Sequence, residues 1–127
     1  MGKPASQSSE LRSAARLKLP AMYTLIRVRP VGEDRYRWTG HIYDVSESGM
    51  RFELDQPIDA GTRVEVRAML PGSSHITFNA TGRVVRLHDD SDDCGPVRMG
   101  MVFERFAHHS DQLRLSDYLS GASRKAA

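Results

Sequence analysis

The sequence is short of cysteine, of aromatic residues, of long apolar runs and of any excess of one charge. Cys94 is the single cysteine. One thiol excludes an internal disulfide and suits a reducing compartment, so the expected location is cytoplasmic. One Trp, four Tyr and four Phe in 127 residues are too few to build the base-stacking platform of a barrel that grips RNA or single-stranded DNA. No run approaches the roughly eighteen apolar residues of a membrane span, and membrane insertion is not expected. The leading "MGKPASQSSELRSAARLKLP" lacks the apolar centre of a secretory signal. With 18 Lys and Arg against 16 Asp and Glu, the net charge of +2 does not call for a nucleic-acid partner.

Catalytic signatures are missing too. There is no Gly-Lys-Ser phosphate loop, no nucleophile elbow and no dinucleotide fingerprint. The five histidines, His41, His75, His88, His108 and His109, fall in no metal-ligand spacing. No metal, no cofactor and no enzymatic activity are expected.

What is present is period two. "YTLIRVR" (23–29) is β-rich and ends at Pro30 and a "VGED" turn. "RYRWTGHIYDV" sets Tyr36, Trp38, Gly40 and Ile42 against Arg35, Arg37, Thr39 and His41. In "MRFEL", Met50, Phe52 and Leu54 share a face; in "TRVEVRAML", Val64, Val66, Ala68 and Leu70 do. "HITFNATGRVVRL" and "VRMGMVFERF" follow after turns at "PGSS" and "DDSDDCGP". Strands joined by short turns, with no helix-length pattern between them, indicate an antiparallel barrel or sandwich. A short C-terminal helix should follow, capped by Ser110, with Leu113, Leu115 and Leu119 on its apolar side and Gly121 as its stop. The expected organisation is a disordered lead at 1–9, one barrel domain at 10–120 that includes an arginine-bearing connector, and a frayed tail at 121–127.

Two short motifs stand out from this background. "RSAAR" (12–16) spaces two arginines as Arg-x-x-x-Arg, and 28 residues further on "DVSESG" (44–49) reads Asp-x-Ser-x-x-Gly. A second arginine pair, Arg63 and Arg67, lies on an alternating strand and has a complete explanation as a solvated face. Asp, Ser and Gly are also ordinary turn residues, and Asp44 and Ser46 could simply bond local amides at a strand end.

Together, "RSAAR", "DVSESGMRF", "GRVVR" and the late "GMVF" closely resemble the PilZ domain, a bacterial receptor for cyclic di-GMP; the likeness runs from about residue 10 to residue 119. The resemblance implies an all-β fold, a six-stranded antiparallel β-barrel with a short C-terminal α-helix. It also implies a ligand site where the connector wraps back against the strand end, with Arg12, Arg16, Asp44, Ser46 and Gly49 as binding residues. Leu11 stands where many family members carry a further arginine.

The chemistry suits these residue types. Guanidinium groups fork onto phosphate oxygens or guanine O6 and N7, or stack on a base. An ionised Asp44 only accepts, so it fits the amino and imino hydrogens of guanine and would repel phosphate. Ser46 shares its face if the strand persists, and Gly49 either adopts positive φ or lets the ligand approach the backbone. Arg86, at the end of "GRVVR", reads first as a solvated strand arginine and only second as a candidate to stack on a purine. The implied function is a second-messenger receptor: cyclic di-GMP orders the connector and changes a surface seen by an unidentified downstream protein. The alternative is a ligand-silent PilZ-like barrel that serves as a protein-interaction module.

Overall fold

The computed structural model describes residues 16–72, 76–85 and 97–126, without the side chains of residues 97 and 122–126. Arg12, His75, Arg86, His88, Cys94 and the lead at 1–9 lie outside the described residues.

Among the described residues the elements run in order: β1 (Leu17–Lys18), a 3-10 turn (Ala21–Tyr23), β2 (Leu25–Pro30), β3 (Trp38–Val45), β4 (Gly49–Leu54), β5 (Arg63–Leu70), β6 (Ile76–Val85), β7 (Val97–Phe106) and α1 (His109–Ala126). All pairings are antiparallel, and the ring β3–β2–β5–β6–β7–β4 closes because β4 also pairs with β3. Closure leaves the six-stranded barrel without a free edge. β1 sits outside the ring, on the end of β3 that β2 does not reach. This is the barrel that the family resemblance implies; the strand periodicity alone left a barrel or a sandwich open.

Alternation fills the interior as expected. Ile26 and Val28 of β2, Met50, Phe52 and Leu54 of β4, and Val64, Val66, Ala68 and Leu70 of β5 are all buried in one core. Gly32 (φ 94°) and Gly61 (φ 93°) make the turns after β2 and before β5, where a side chain would be strained.

Alternation breaks at two β-bulges. Between Ile42 and Asp44 the register against β4 shifts, with Ile42 opposite Phe52 and Asp44 opposite Arg51, so Tyr43 is the extra residue. In β7 the extra residue is Glu104, since Thr81 faces Arg105 and Gly82 faces Phe103. That second bulge lets Phe103 and Phe106, three apart, pack together on Phe78 with ring centroids 5.4–6.1 Å apart.

The helix packs against β6 and β7, burying Leu115 in the core cluster, and Tyr118 donates to the Pro71 carbonyl at 2.7 Å. Its cap differs from the sequence expectation. Ser110 lies inside the first turn; the Asp111 carboxylate, 2% exposed, turns back to accept from the His108 amide (3.0 Å) and also from the Asn79 amide of β6 (3.0 Å). One side chain both caps the helix and docks it. The helix also runs through Gly121 to Ala126 instead of stopping, because Gly121 keeps negative φ and so forms no left-handed cap. Among the described residues, no helix is long and apolar enough to cross a membrane.

Candidate ligand site on the barrel wall

The connector before β2 is stitched along β3 in antiparallel fashion. Leu17 pairs with Val45 and Lys18 with Asp44. The Leu19 amide then donates to the Tyr43 carbonyl (2.8 Å), and the Ile42 amide donates to Thr24 Oγ1 (2.7 Å). This seam carries Arg16 to the end of β3, where it lines a cleft together with Asp44, Ser46, Gly49, Met50, Arg51, Val85, Gly100 and Met101.

The floor of the cleft follows one cross-strand row. Lys18 faces Asp44, Asp44 faces Arg51, Arg51 faces Gly100, and Gly100 faces Val85. Arg51 alternates with the inward Met50 and Phe52, so the row runs along the outer wall of the barrel. The Tyr43 bulge puts Asp44 on that wall: strict alternation from the buried Ile42 would turn Asp44 inward, yet Val45 is buried instead.

Asp44 is the electrostatic centre of the site. Its side chain is 14% exposed, and burial raises its pKa above the ordinary carboxylate value, while the positive charges of Arg16 and Lys18 pull the other way. Arg51 Nε stands 4.0 Å from Asp44 Oδ2, an ion-pair distance and too long for a hydrogen bond. A partly desolvated acceptor thus lies among three cations in an open cleft. That arrangement is suited to a polar donor edge beside an anionic group.

The PilZ domain family model matches residues 10–121. The chain belongs to the PilZ domain family. Eight solved chains match it in structure. One is the Bacillus subtilis inhibitor of motility MotI/DgrA, with a TM-score of 0.65 at 16% identity over 91% of this chain; the chain spans 53% of that protein. Another is the PilZ domain of Escherichia coli YcgR with c-di-GMP, with a TM-score of 0.53 at 17% identity, covering 91% of this chain and 93% of that one. At such identities the likeness concerns the fold. No curated protein matches the chain.

Four of the five motif residues of this PilZ domain, Arg16, Asp44, Ser46 and Gly49, line one cleft; Arg12 is outside the described residues. Ser46 does not continue the strand face of Asp44, because β3 ends at Val45. It is 1% exposed, and its hydroxyl is engaged by the turn: it accepts from the Ser48 amide (3.2 Å), lies 3.2 Å from Ser48 Oγ and can donate to the Gly49 carbonyl (3.3 Å). The Ser46 amide closes the turn on the same carbonyl at 2.8 Å. Gly49 is extended strand paired with Val102, and the positive-φ glycines among the described residues are Gly32, Gly61 and Gly72, so a positive φ at Gly49 is not found.

Sequence reasoning gave no role to Arg51, Lys18 or Gly100. The signal for all three is register, which places them in the row of Asp44. On the far side of the turn, Glu47 reaches the helix, where Ser116 Oγ lies 3.5 Å from its Oε1. Among the described residues, no cluster of His, Cys, Asp and Glu could hold a metal ion.

Proposed function

We propose that this PilZ domain is a receptor module for cyclic di-GMP and performs no reaction of its own. The observation that carries the reading is the seam of β1 along β3, which brings Arg16 beside the half-buried Asp44. Asp44 accepts from the guanine amino and imino hydrogens, while Arg12 and Arg16 serve phosphate and base. Ser46 shapes the turn with its own hydroxyl bonds, and Gly49 keeps the backbone approachable. The contact of Glu47 with the helix gives the ligand-bearing turn a route to a second surface, on which an unidentified protein partner would sense the bound state.

Calorimetric titration with cyclic di-GMP tests this. Arg12→Ala and Arg16→Ala should each cost about 1–3 kcal/mol, roughly ten- to a hundredfold in affinity. Identical isotherms for wild type and both variants would remove the site.

A second reading, a ligand-silent barrel acting through protein contacts, is favoured by one fact: the Ser46 hydroxyl is already satisfied within its own turn. On that reading the dinucleotide leaves both the amide spectrum and the melting temperature unchanged.

A further inference from the structure

Of the two cations among the described residues that line the cleft, Arg16 and Arg51, the motifs assign a role only to Arg16. Arg51 is the cross-strand partner of Asp44, lines the same cleft, and has a side chain 45% exposed. Its nearest approach to Asp44 is 4.0 Å, so its donors are not committed to a hydrogen bond with that carboxylate. Its other neighbour in the row is Gly100, which has no side chain to cover it, and beyond Gly100 lies Val85. Directly opposed residues on an antiparallel pair have Cβ atoms about 5 Å apart. A group bound by Asp44 therefore lies within reach of a guanidinium as long as that of Arg51.

The charges fix what such a group can be. Asp44 repels phosphate, so a nucleotide whose base meets Asp44 needs a cation immediately beside that carboxylate to carry its phosphate. Arg16 reaches the cleft from the connector side of β3, and Arg51 from the opposite side, on β4. Held on a strand of the closed barrel, Arg51 is in place whatever the connector does.

We infer that Arg51 is a direct phosphate-binding residue of the nucleotide site, gripping the phosphate next to the base that Asp44 reads, across a floor left open by Gly100. The inference rests on the receptor reading above and extends it to a residue outside both motifs. Arg51 then forms one half of the anion site, across Asp44 from Arg16.

The test is calorimetric titration of the full chain with cyclic di-GMP at several salt concentrations, using wild type, Arg16→Ala, Arg51→Ala and Arg51→Lys. Arg51→Ala should weaken binding ten- to a hundredfold and flatten the salt dependence of Kd, since one ionic contact is gone. Arg51→Lys, which keeps the charge and the fold of this exposed position, should restore part of the affinity and most of the salt dependence. If Arg16→Ala weakens binding while Arg51→Ala binds like wild type, the role of Arg51 is overturned and the receptor reading stands. If Arg51→Ala weakens binding with an unchanged salt dependence and Arg51→Lys is no better, Arg51 only positions Asp44, and direct contact is overturned. Wild-type protein that gives no binding heat overturns the receptor reading itself.

Discussion

Gly40 holds the barrel shut, and a single methyl group there should open it. It is the one residue of β3 in register with both neighbours in the ring, facing Ile26 of β2 and Leu54 of β4. A Cβ placed on it would overlap the Glu53 carbonyl oxygen and lie 2.8 Å from the Glu53 carbonyl carbon and 2.9 Å from Leu54 Cα. These are backbone atoms, which cannot rotate away as a side-chain tip can, so β4 must move by about an ångström. Overpacking costs about 1–3 kcal/mol when side chains yield. Displacing a strand adds the loss of one or two ladder hydrogen bonds at about 1 kcal/mol each. Gly40→Ala should therefore cost about 2–5 kcal/mol, a substantial part of the roughly 5–15 kcal/mol that holds a domain together. At this chain length that lowers Tm by about 6–20 °C. Urea unfolding followed by circular dichroism measures the loss. Gly121→Ala is the control, because a Cβ at that position has nothing within 4 Å and alanine should gain about 0.5–1 kcal/mol in a helix. A Gly40→Ala protein within about 1 kcal/mol of wild type would refute the claim that the β3–β4 approach at this residue governs closure.

Two further outcomes follow from individual side chains. Asp111→Ala orphans the amides of Asn79 and His108 and frees the Arg114 guanidinium 3.2 Å away, so it should cost about 2–4 kcal/mol; hydrogen exchange should show α1 loosening before the barrel. Asp44 should give opposite pH trends for stability and for binding. Its folded pKa lies above the ordinary 3.8 because burial disfavours the charge, so from that value upward the folded protein takes up a proton that the unfolded chain does not. The Asp44 contribution to stability accordingly improves as pH falls through this window, whereas affinity for cyclic di-GMP falls as the acceptor is protonated. Melting curves and titrations between pH 4 and 7 on wild type and Asp44→Asn check both trends; an affinity that stays flat while Asp44 protonates would show that its charge does not read the ligand.

The strands were legible because period two needs only the order of residues. Met50, Phe52 and Leu54, or Val64, Val66, Ala68 and Leu70, declare a buried face whatever they pair with. What escaped was everything set by pairing. β1 is two residues long and exists only because β3 offers an edge beyond the reach of β2. The Asp111 cap escaped because one of its donors, the Asn79 amide, is 32 residues away. Arg16, Asp44, Ser46 and Gly49, which line one cleft, were named in advance through the family resemblance of the two motifs together. Arg51 was not, since an outward arginine on an alternating strand looks the same whether it faces solvent or a carboxylate; its meaning comes from being opposite Asp44.

The Tyr43 bulge connects fold and site most directly. Without the extra residue, the alternation that buries Ile42 would point Asp44 into a barrel lined by Ile42, Met50, Phe52 and Met101, and would turn Val45 outward. A lone carboxylate in such an interior is costly enough that it would bind a proton rather than stay charged. With the bulge, Val45 takes the core position and Asp44 emerges on the wall, still only 14% exposed, facing Lys18 on one side and Arg51 on the other. The half-burial is itself useful: an acceptor stripped of most of its water loses less on meeting a ligand than a fully hydrated one does. The irregularity that interrupts the strand pattern is thus also what makes the Asp44 carboxylate available, and the residue that breaks the sequence periodicity stands next to the one on which the proposed recognition depends.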